Sequence, residues 1–494
     1  MKNNFLSKWN PFKWSVDSVL KWIILAFIIR GVMMLFFSWE FQNNWNPELL
    51  HSGFVVLHND TPGYFTPMES FISGEGYSSS CRMPGLLPIY ASLRVLFSPE
   101  TSEVLLVFIQ FLASVIAVYL LAKSAYLLKK SQVLFVITFF VAAFSSFISI
   151  WDQALLSDSL SVSFLIYSFY FSLKYLEDGQ NKNLFWSGVF LAWTVFVRPT
   201  HILLVPVLGL LLLVKHWNGL RSFGVILKKG VILFLPIVIS ISVWTYRNYA
   251  QYDRVIFLQD KNEVCFGALS EHYVSLRNMI IGWGGDYKGW SKNTELSWFL
   301  DKNESTHFDF DSRIYTSEYN ADSLKLLKEY FIFTKNEQVD SSVRKLNEGK
   351  VLEMATRYSN SYKKEHPLDY YFFNRLRLIR LFVFQGNIEN LPLPALSEMN
   401  IFEKFVKVFY SVLLIFVAFF FFISVVCSLI GKTHTTTIVF IFPLLIIILI
   451  GAFFGYAEQR YLAPAYPYMV IGFAMLCAKF FETLSALREH RSRV

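Results

Sequence analysis

The chain reads as an all-α integral membrane protein of about ten transmembrane helices, and three features predict it. Of its 494 residues 54% are hydrophobic and 17% charged, more apolar surface than one or two soluble cores can bury. Apolar runs near the roughly 20 residues needed to cross a hydrocarbon slab of about 30 Å recur along its length. They are continuous rather than alternating, which excludes a membrane barrel and leaves helices, since lipid offers no partner to an unpaired backbone group.

The predicted spans are 19–39, 103–122, 132–150, 158–173, 184–197, 201–214, 230–246, 405–430, 437–456 and 462–480. Lys123, Lys129 and Lys130 follow the second; Lys215, Arg221, Lys228 and Lys229 follow the sixth; Arg488, Arg491 and Arg493 close the chain. The positive-inside rule makes those segments cytoplasmic, so 40–102 and the polar block after 246 are expected to face outward. Topology and anionic lipid headgroups account for the net charge of +8 without a nucleic-acid partner. Lys8 and Lys13 precede a first span with no small-residue cleavage site, the pattern of an uncleaved anchor.

Three regions follow: a membrane module at 1–246 containing the outward loop 40–102, an outward region at 247–404, and membrane helices with a cytoplasmic tail at 405–494. In the outward region Val255–Leu258 has strand-like residues and Trp283-Gly284-Gly285-Asp286 reads as a turn. From Gly349 the apolar spacing becomes helical, through Val351, Met354, Ala355, Tyr358 and Tyr362, and stops at Pro367. The run 368–384 mixes Phe372, Phe373, Leu376, Ile379 and Val383 with Arg375, Arg377 and Arg380, an amphipathic design for a membrane interface. Cys81 and Cys265 both fall in outward segments, which leaves a disulfide between them open. No zinc-like Cys/His spacing and no Gly-rich nucleotide loop appears, which counts against an ATP-driven pump.

Charges in or beside lipid cost about 2.5–3.5 kcal/mol on insertion scales, so their positions are informative. Arg30, Asp60, Arg82, Asp152, Asp158, Arg198, Arg247, Glu458 and Arg460 are the candidates, and all but Arg30 fall on the outward side of this topology. Carboxylates and arginines gathered on one side suit a reaction that moves a proton and handles a phosphate. A guanidinium fork matches phosphate oxygens, and a carboxylate can take the proton of an attacking hydroxyl. Each has a plainer role too: Asp60 opens Asp-Thr-Pro-Gly, good turn chemistry, and Asp158 beside Ser157 could cap a helix.

The first outward loop reads Asn59-Asp60-Thr-Pro-Gly-Tyr64, then Gly74-Glu-Gly76-Tyr77, then Arg82-Met-Pro84-Gly85; Leu156-Ser157-Asp158, Val197-Arg198-Pro199-Thr200, Trp244-Thr-Tyr-Arg247-Asn248 and Arg460-Tyr461-Leu-Ala-Pro464 follow. This order resembles the GT-C superfamily of membrane glycosyltransferases, in its family 39-like branch related to dolichyl-phosphate-mannose protein mannosyltransferases. The resemblance implies transfer of a sugar from a polyprenyl-phosphate carrier to an acceptor hydroxyl on a glycan, lipid or protein. Transfer would occur with inversion, at the outer face of the plasma (inner) membrane. It implies Asp60 or Asp158 as the catalytic carboxylate, Arg82, Arg247 and Arg460 on the carrier phosphate, and Tyr64, Arg198 and Tyr461 shaping the site. A divalent cation held by Asp60, Asp158 and Glu69 is left open. The paired Asp-Glu of the eukaryotic protein mannosyltransferases and the Glu-Lys-Pro-Pro of lipid A aminoarabinose transferases are missing, so neither acceptor carries over. The competing readings are an outer-leaflet polysaccharide polymerase or ligase, and a lipid or sugar transporter.

Overall fold

The computed structural model describes residues 14–44, 50–52, 54–58, 60–79, 82–219, 222–260, 270–287, 294–302, 309–335, 338–384, 391, 393–394, 396–455 and 458–493. It is helical almost throughout, and the described residues form two compact units. The first contains 1–265, 386–444 and 463–494; the second contains 266–385 and 445–462. The units break the chain at 265 and 385, where the sequence divisions are 247 and 405, and the second unit also takes in 445–462.

In the first unit, α1 (Val19–Asn44) leads to a small antiparallel pair, β1 (Leu50–Ser52) and β2 (Val55–Val56), then to α2 (Thr61–Ile72), α3 (Leu87–Leu96) and α4 (Pro99–Lys129). After these come α5 (Gln132–Ala143), the single turn α6 (Ser146–Ser149), α7 (Asp158–Asp178), α8 (Asn181–Val197), α9 (Leu204–His216) and α10 (Phe223–Tyr252). Among the described residues each of the ten predicted spans is mostly helix, interrupted at 144–145 and preceded by a turn at 463–465. Seven helices are long and apolar enough to cross by themselves, and an eighth span arises if α5 and 146–152, bent by 48°, count as one.

α7 and α8 are not among those seven, for a physical reason. α8 has 17 residues, about 25 Å of helix. α7 carries serines where lipid-facing residues would be apolar, but it is buried along nearly its whole length. Ser168 donates to the Ser187 carbonyl at 2.9 Å, Ser187 donates back to the Ser168 carbonyl at 2.8 Å, and Ser172 meets Ser187 at 2.6 Å. Small hydroxyl residues let two helices approach and bond across lipid-like surroundings. A helix sheathed in protein does not need an apolar surface.

Between α6 and α7 the chain stops being α-helical, and every carbonyl of 152–155 finds a hydrogen from outside the segment. Gln110 of α4 donates its side-chain amide to Asp152 O at 3.1 Å and Ala154 O at 3.0 Å. The Val56 N–H serves Gln153 O at 3.0 Å, and Thr61 Oγ1 serves Leu155 O at 3.2 Å. Leu155 N–H returns a bond to Val56 O at 3.1 Å. Irregular backbone beside lipid is tolerated only when protein satisfies it in this way, so the break ties the loop at 55–61 to the membrane helices.

The first unit continues with α16 (Ile401–Ile430), the first part of α17 (His434–Ile446) and α18 (Tyr466–Arg493). The second unit holds α11 (Glu271–Gly282), α12 (Glu295–Leu300), α13 (Ala321–Thr334), α14 (Ser341–Glu365) and α15 (Asn374–Phe384). Its core includes Leu276, Ile280, Trp283, Phe331, Val351, Ala355 and Tyr358, so the residues expected to line one helix face from Gly349 do face inward. The helix itself starts earlier, at Ser341, because the Asp340 carboxylate accepts from Ser342 N–H at 2.8 Å and caps it.

Leu378, Phe382 and Val383 of the amphipathic run are buried in the second unit, whereas Leu368, Tyr371, Phe372, Phe373 and Leu376 are exposed. Arg375 donates to Ala452 O at 3.0 Å, fixing α15 to the last turns of the spanning helix His434–Phe453. The expected strand at Val255–Leu258 is a loop. Its carbonyls are held by the Trp244 indole N–H at Leu258 and the Asn248 amide at Ile256 rather than by a neighbouring strand. The proposed Cys81–Cys265 disulfide lies outside the described residues.

Gln110→Leu keeps the size of the side chain but takes the Gln110 donor from Asp152 O and one of two donors from Ala154 O, which still accepts from Leu156 N–H at 2.8 Å. It is expected to cost about 1–3 kcal/mol, read as a lower thermal midpoint in detergent, whereas an unchanged midpoint would mean that the break is held by other bonds.

Candidate functional site

Asp60 immediately precedes α2, yet its carboxylate makes no capping bond to that helix. The turn is instead made by backbone, with Thr61 N–H on His58 O and Gly63 N–H on Asp60 O. The carboxylate faces Arg82, whose Nη2 lies 3.4 Å from Oδ1, and the His58 Nδ1 lies 3.8 Å from Oδ2. Both partners of the Asp60–Arg82 pair keep an edge toward solvent, with side chains 15% and 17% exposed. That partial access suits a group meant to meet a substrate.

Arg82 is positioned from several sides. Its Nη1 donates to Tyr64 Oη at 3.0 Å, and its guanidinium carbon lies 4.4 Å from the centre of the Tyr64 ring. The Tyr64 hydroxyl shares a 2.8 Å hydrogen bond with Ser157 Oγ at the start of α7. Arg82 N–H donates to Ser79 Oγ, and the Tyr77 hydroxyl donates to Arg82 O at 3.1 Å. Burial pushes the Tyr77 phenol above its ordinary range, so it stays a protonated donor.

The glycines of this loop have distinct reasons. Gly74 and Gly76 hold φ of 89° and 84°, a region side chains with a Cβ rarely adopt. Gly85 is needed for space, because a Cβ there would lie 2.4 Å from the Val197 nitrogen at the end of α8. Trp193 of α8 also donates its indole N–H to Gly85 O at 2.9 Å. The Arg-Met-Pro-Gly segment is therefore seated on the end of α8, next to Arg198.

Asp158 and Arg198 form a buried ion pair, 3% and 10% exposed at the side chain. Asp158 is the first residue of α7, and Arg198 ends α8 in extended backbone before Pro199. The pair joins two helices and offers little access to a substrate. Arg247, near the end of α10, donates to Ser79 O at 3.0 Å and lies over Trp244, Tyr252 and Tyr77, with ring centres at 4.9, 5.3 and 5.6 Å. Its Nη2 is buried with no hydrogen-bond partner among the described residues. Arg247 also lines an open cavity of about 610 Å³ with Glu75, Gly76 and Tyr246.

Arg460 and Tyr461 lie in the second unit, where Arg460 donates to Glu458 at 2.6 Å and sits 5.4 Å from the Tyr461 ring centre. Arg30 is fully enclosed in the membrane module, bonded to Ser145 O at 3.2 Å, and Asp152 accepts from Ser159 at 2.6 Å. Glu69 is engaged by Arg94 at 2.9 Å and by the Tyr90 hydroxyl at 2.6 Å. Among the described residues no three His, Cys, Asp or Glu side chains gather as metal ligands; Glu69 faces Arg94, and Asp158 faces Arg198.

Sequence reasoning passed over His58, Ser157 and Gln110. Ser157 stood inside a quoted motif as a neighbour of Asp158, with nothing to show that Tyr64 would reach it. Gln110 did carry a signal, as an amide in the middle of an apolar span, but a search restricted to charged residues does not find it.

Residues 87–244 match the family model described as dolichyl-phosphate-mannose-protein mannosyltransferase. The match runs from α3 into the end of α10 and bears out the family 39-like resemblance over that stretch. Asp60 and Arg82 precede it, and Arg247 follows it by three residues. No curated protein and no solved structure matches the chain.

The hydrogen bond from Arg94 is the main cause holding the Glu69 carboxyl below its ordinary value of 4.5. A depressed carboxylate contributes stability above the unfolded pKa and loses it as pH falls through the folded one. Wild-type protein is therefore expected to lose more thermal stability between about pH 6 and pH 3.5 than Glu69→Gln does. Equal losses in the two would show that this contact does not respond to acid.

Proposed function

We propose that this family 39-like membrane glycosyltransferase moves a sugar from a polyprenyl-phosphate carrier to an acceptor hydroxyl, with Asp60 as general base. The observation that carries the proposal is the solvent-edged pair of Asp60 and Arg82, held on a loop that is bonded to the membrane helices at Val56, Thr61 and Tyr64. A base and a cation at one place are what the reaction needs.

In the step, the acceptor oxygen attacks the anomeric carbon from the face opposite the carrier. Its proton passes to the Asp60 carboxylate, a glycosidic C–O bond forms, and the bond from the anomeric carbon to the phosphate oxygen breaks. The phosphate leaves with the electron pair and the configuration inverts. Lipid phosphate is already a competent leaving group, so stabilising its growing charge matters more than protonating it. Arg82 and Arg247 supply that stabilisation, Arg247 from the wall of its open cavity. Tyr64 sets the angle of Arg82 by stacking and hydrogen bonding at once.

We assign Asp158 and Arg198 to positioning. A buried ion pair already satisfied by its partner makes a poor base, because protonating Asp158 would leave the Arg198 charge enclosed and unpaired. The site lies on the outer side of the plasma membrane in this reading, since the lysines at 123, 129, 130, 215, 228 and 229 mark the cytoplasmic ends of the helices.

Purified protein in lipid, given polyprenyl-phosphate sugars and an acceptor, is expected to transfer sugar, and Asp60→Asn to lower the rate at least about 100-fold while keeping the thermal midpoint. Arg247→Ala should raise the donor concentration needed for half-maximal rate. Full activity of Asp60→Asn removes Asp60 from the chemistry; unchanged donor dependence in Arg247→Ala reduces that arginine to packing.

A further inference from the structure

At the Lys129 end of α4, 19 residues and so about 28 Å along the helix from Gln110, the first unit carries a cavity of about 370 Å³. Its walls come from the ends of α4 and α16, the start of α5, the turn at 431–433 and the middle of α18. Lys129, Lys479 and Glu482 contribute charge; Ser424, Ser428 and Thr433 contribute hydroxyls. Nothing in the proposed transfer reaction uses this place.

The hydrogen bonds within the wall define what a ligand would meet. Ser424 donates to Gly472 O, Ser428 to Val425 O at 2.9 Å, and Thr433 to Ser428 O at 3.3 Å. Their protons are spent, so these hydroxyls present lone pairs, one of those on Ser428 being taken by Thr437 Oγ1 at 3.3 Å. Glu482 accepts from Ser131 Oγ at 3.1 Å through one oxygen and has further acceptor capacity. Lys129 and Lys479 are exposed, and neither ammonium has an ion-pair partner among the described residues. The cavity therefore offers two cations together with a carboxylate and several acceptors. Val133, Val426 and Phe480, each next in the chain to a residue of the cavity wall, are apolar and exposed.

We propose that this cavity binds the headgroup of a zwitterionic aminophospholipid. The phosphate diester lies against Lys129 and Lys479. The primary ammonium donates to Glu482 and to the hydroxyl lone pairs, and the acyl chains run over Val133, Val426 and Phe480. A choline headgroup has no N–H to give these acceptors, and a glycerol headgroup has no charge to pair with Glu482. Ammonium-to-carboxylate bonding is roughly twice as strong as neutral hydrogen bonding, so the ammonium decides the preference.

Native mass spectrometry of the full chain in detergent tests this, with phosphatidylethanolamine, phosphatidylcholine and phosphatidylglycerol of identical acyl chains added in turn. The expected result is about fivefold greater retention of phosphatidylethanolamine than of either other lipid. Glu482→Gln should reduce that preference to the choline level, and Lys129→Gln combined with Lys479→Gln should lower retention of all three. The charged side chains are surface-exposed, so the variants are expected to fold; restoring binding with Lys129→Arg and Lys479→Arg tests that directly. Equal retention of the three lipids, a preference unaffected by Glu482→Gln, or displacement of the lipid by an equal concentration of free glycerophosphoethanolamine would each overturn the assignment.

Discussion

The structure of the membrane module depends on how the chain satisfies four consecutive carbonyls, at 152–155, where helix gives way before α7. In water those groups would cost little. Beside lipid each unpaired carbonyl is expensive, and the protein recruits Gln110, Val56 and Thr61 to meet them. Two of these donors belong to the first loop, so satisfying the break also fixes where that loop begins. Thr61 is the residue after Asp60, and the candidate base is set one residue from a bond to the membrane helices.

The same economy separates the two carboxylates of the site. Asp158 is turned inward and neutralised by Arg198, making a joint between α7 and α8. Asp60 meets Arg82 with both side chains partly open to solvent. Tyr64 connects the two regions, touching Arg82 on one side and Ser157, the neighbour of Asp158, on the other. A shift at α7 would therefore be felt at Arg82 through a single side chain. Gly85 adds the remaining constraint, since only a residue without a Cβ lets the turn after Arg82 rest on the backbone of Val197.

Much of this was legible in the amino acids, and the exceptions have physical causes. The helices could be read because apolar length is a local property: among the described residues each predicted span is mostly helix. α7 reads poorly as a membrane span because protein, not lipid, surrounds it, and α14 starts before its apolar spacing does because a cap at Asp340 begins it. The residues around Asp60 were visible as a motif. Their pairing was not: Asp60 with Arg82, Tyr64 with Ser157, and Asp158 with Arg198 join positions far apart in the chain, and no spacing rule marks such partners. Gln110 illustrates the point most clearly, for its task is set by carbonyls more than 40 residues away.

We propose the loop anchored by this break as the place where a lipid-linked sugar reacts. It is tested most directly by a structure of the full chain in lipid with a non-cleavable polyprenyl-phosphate sugar bound. Phosphate oxygens are expected within about 3 Å of Arg82 or Arg247 nitrogens, with the anomeric carbon facing the Asp60 carboxylate. A donor bound with its phosphate away from both arginines, and its sugar out of reach of Asp60, would contradict it.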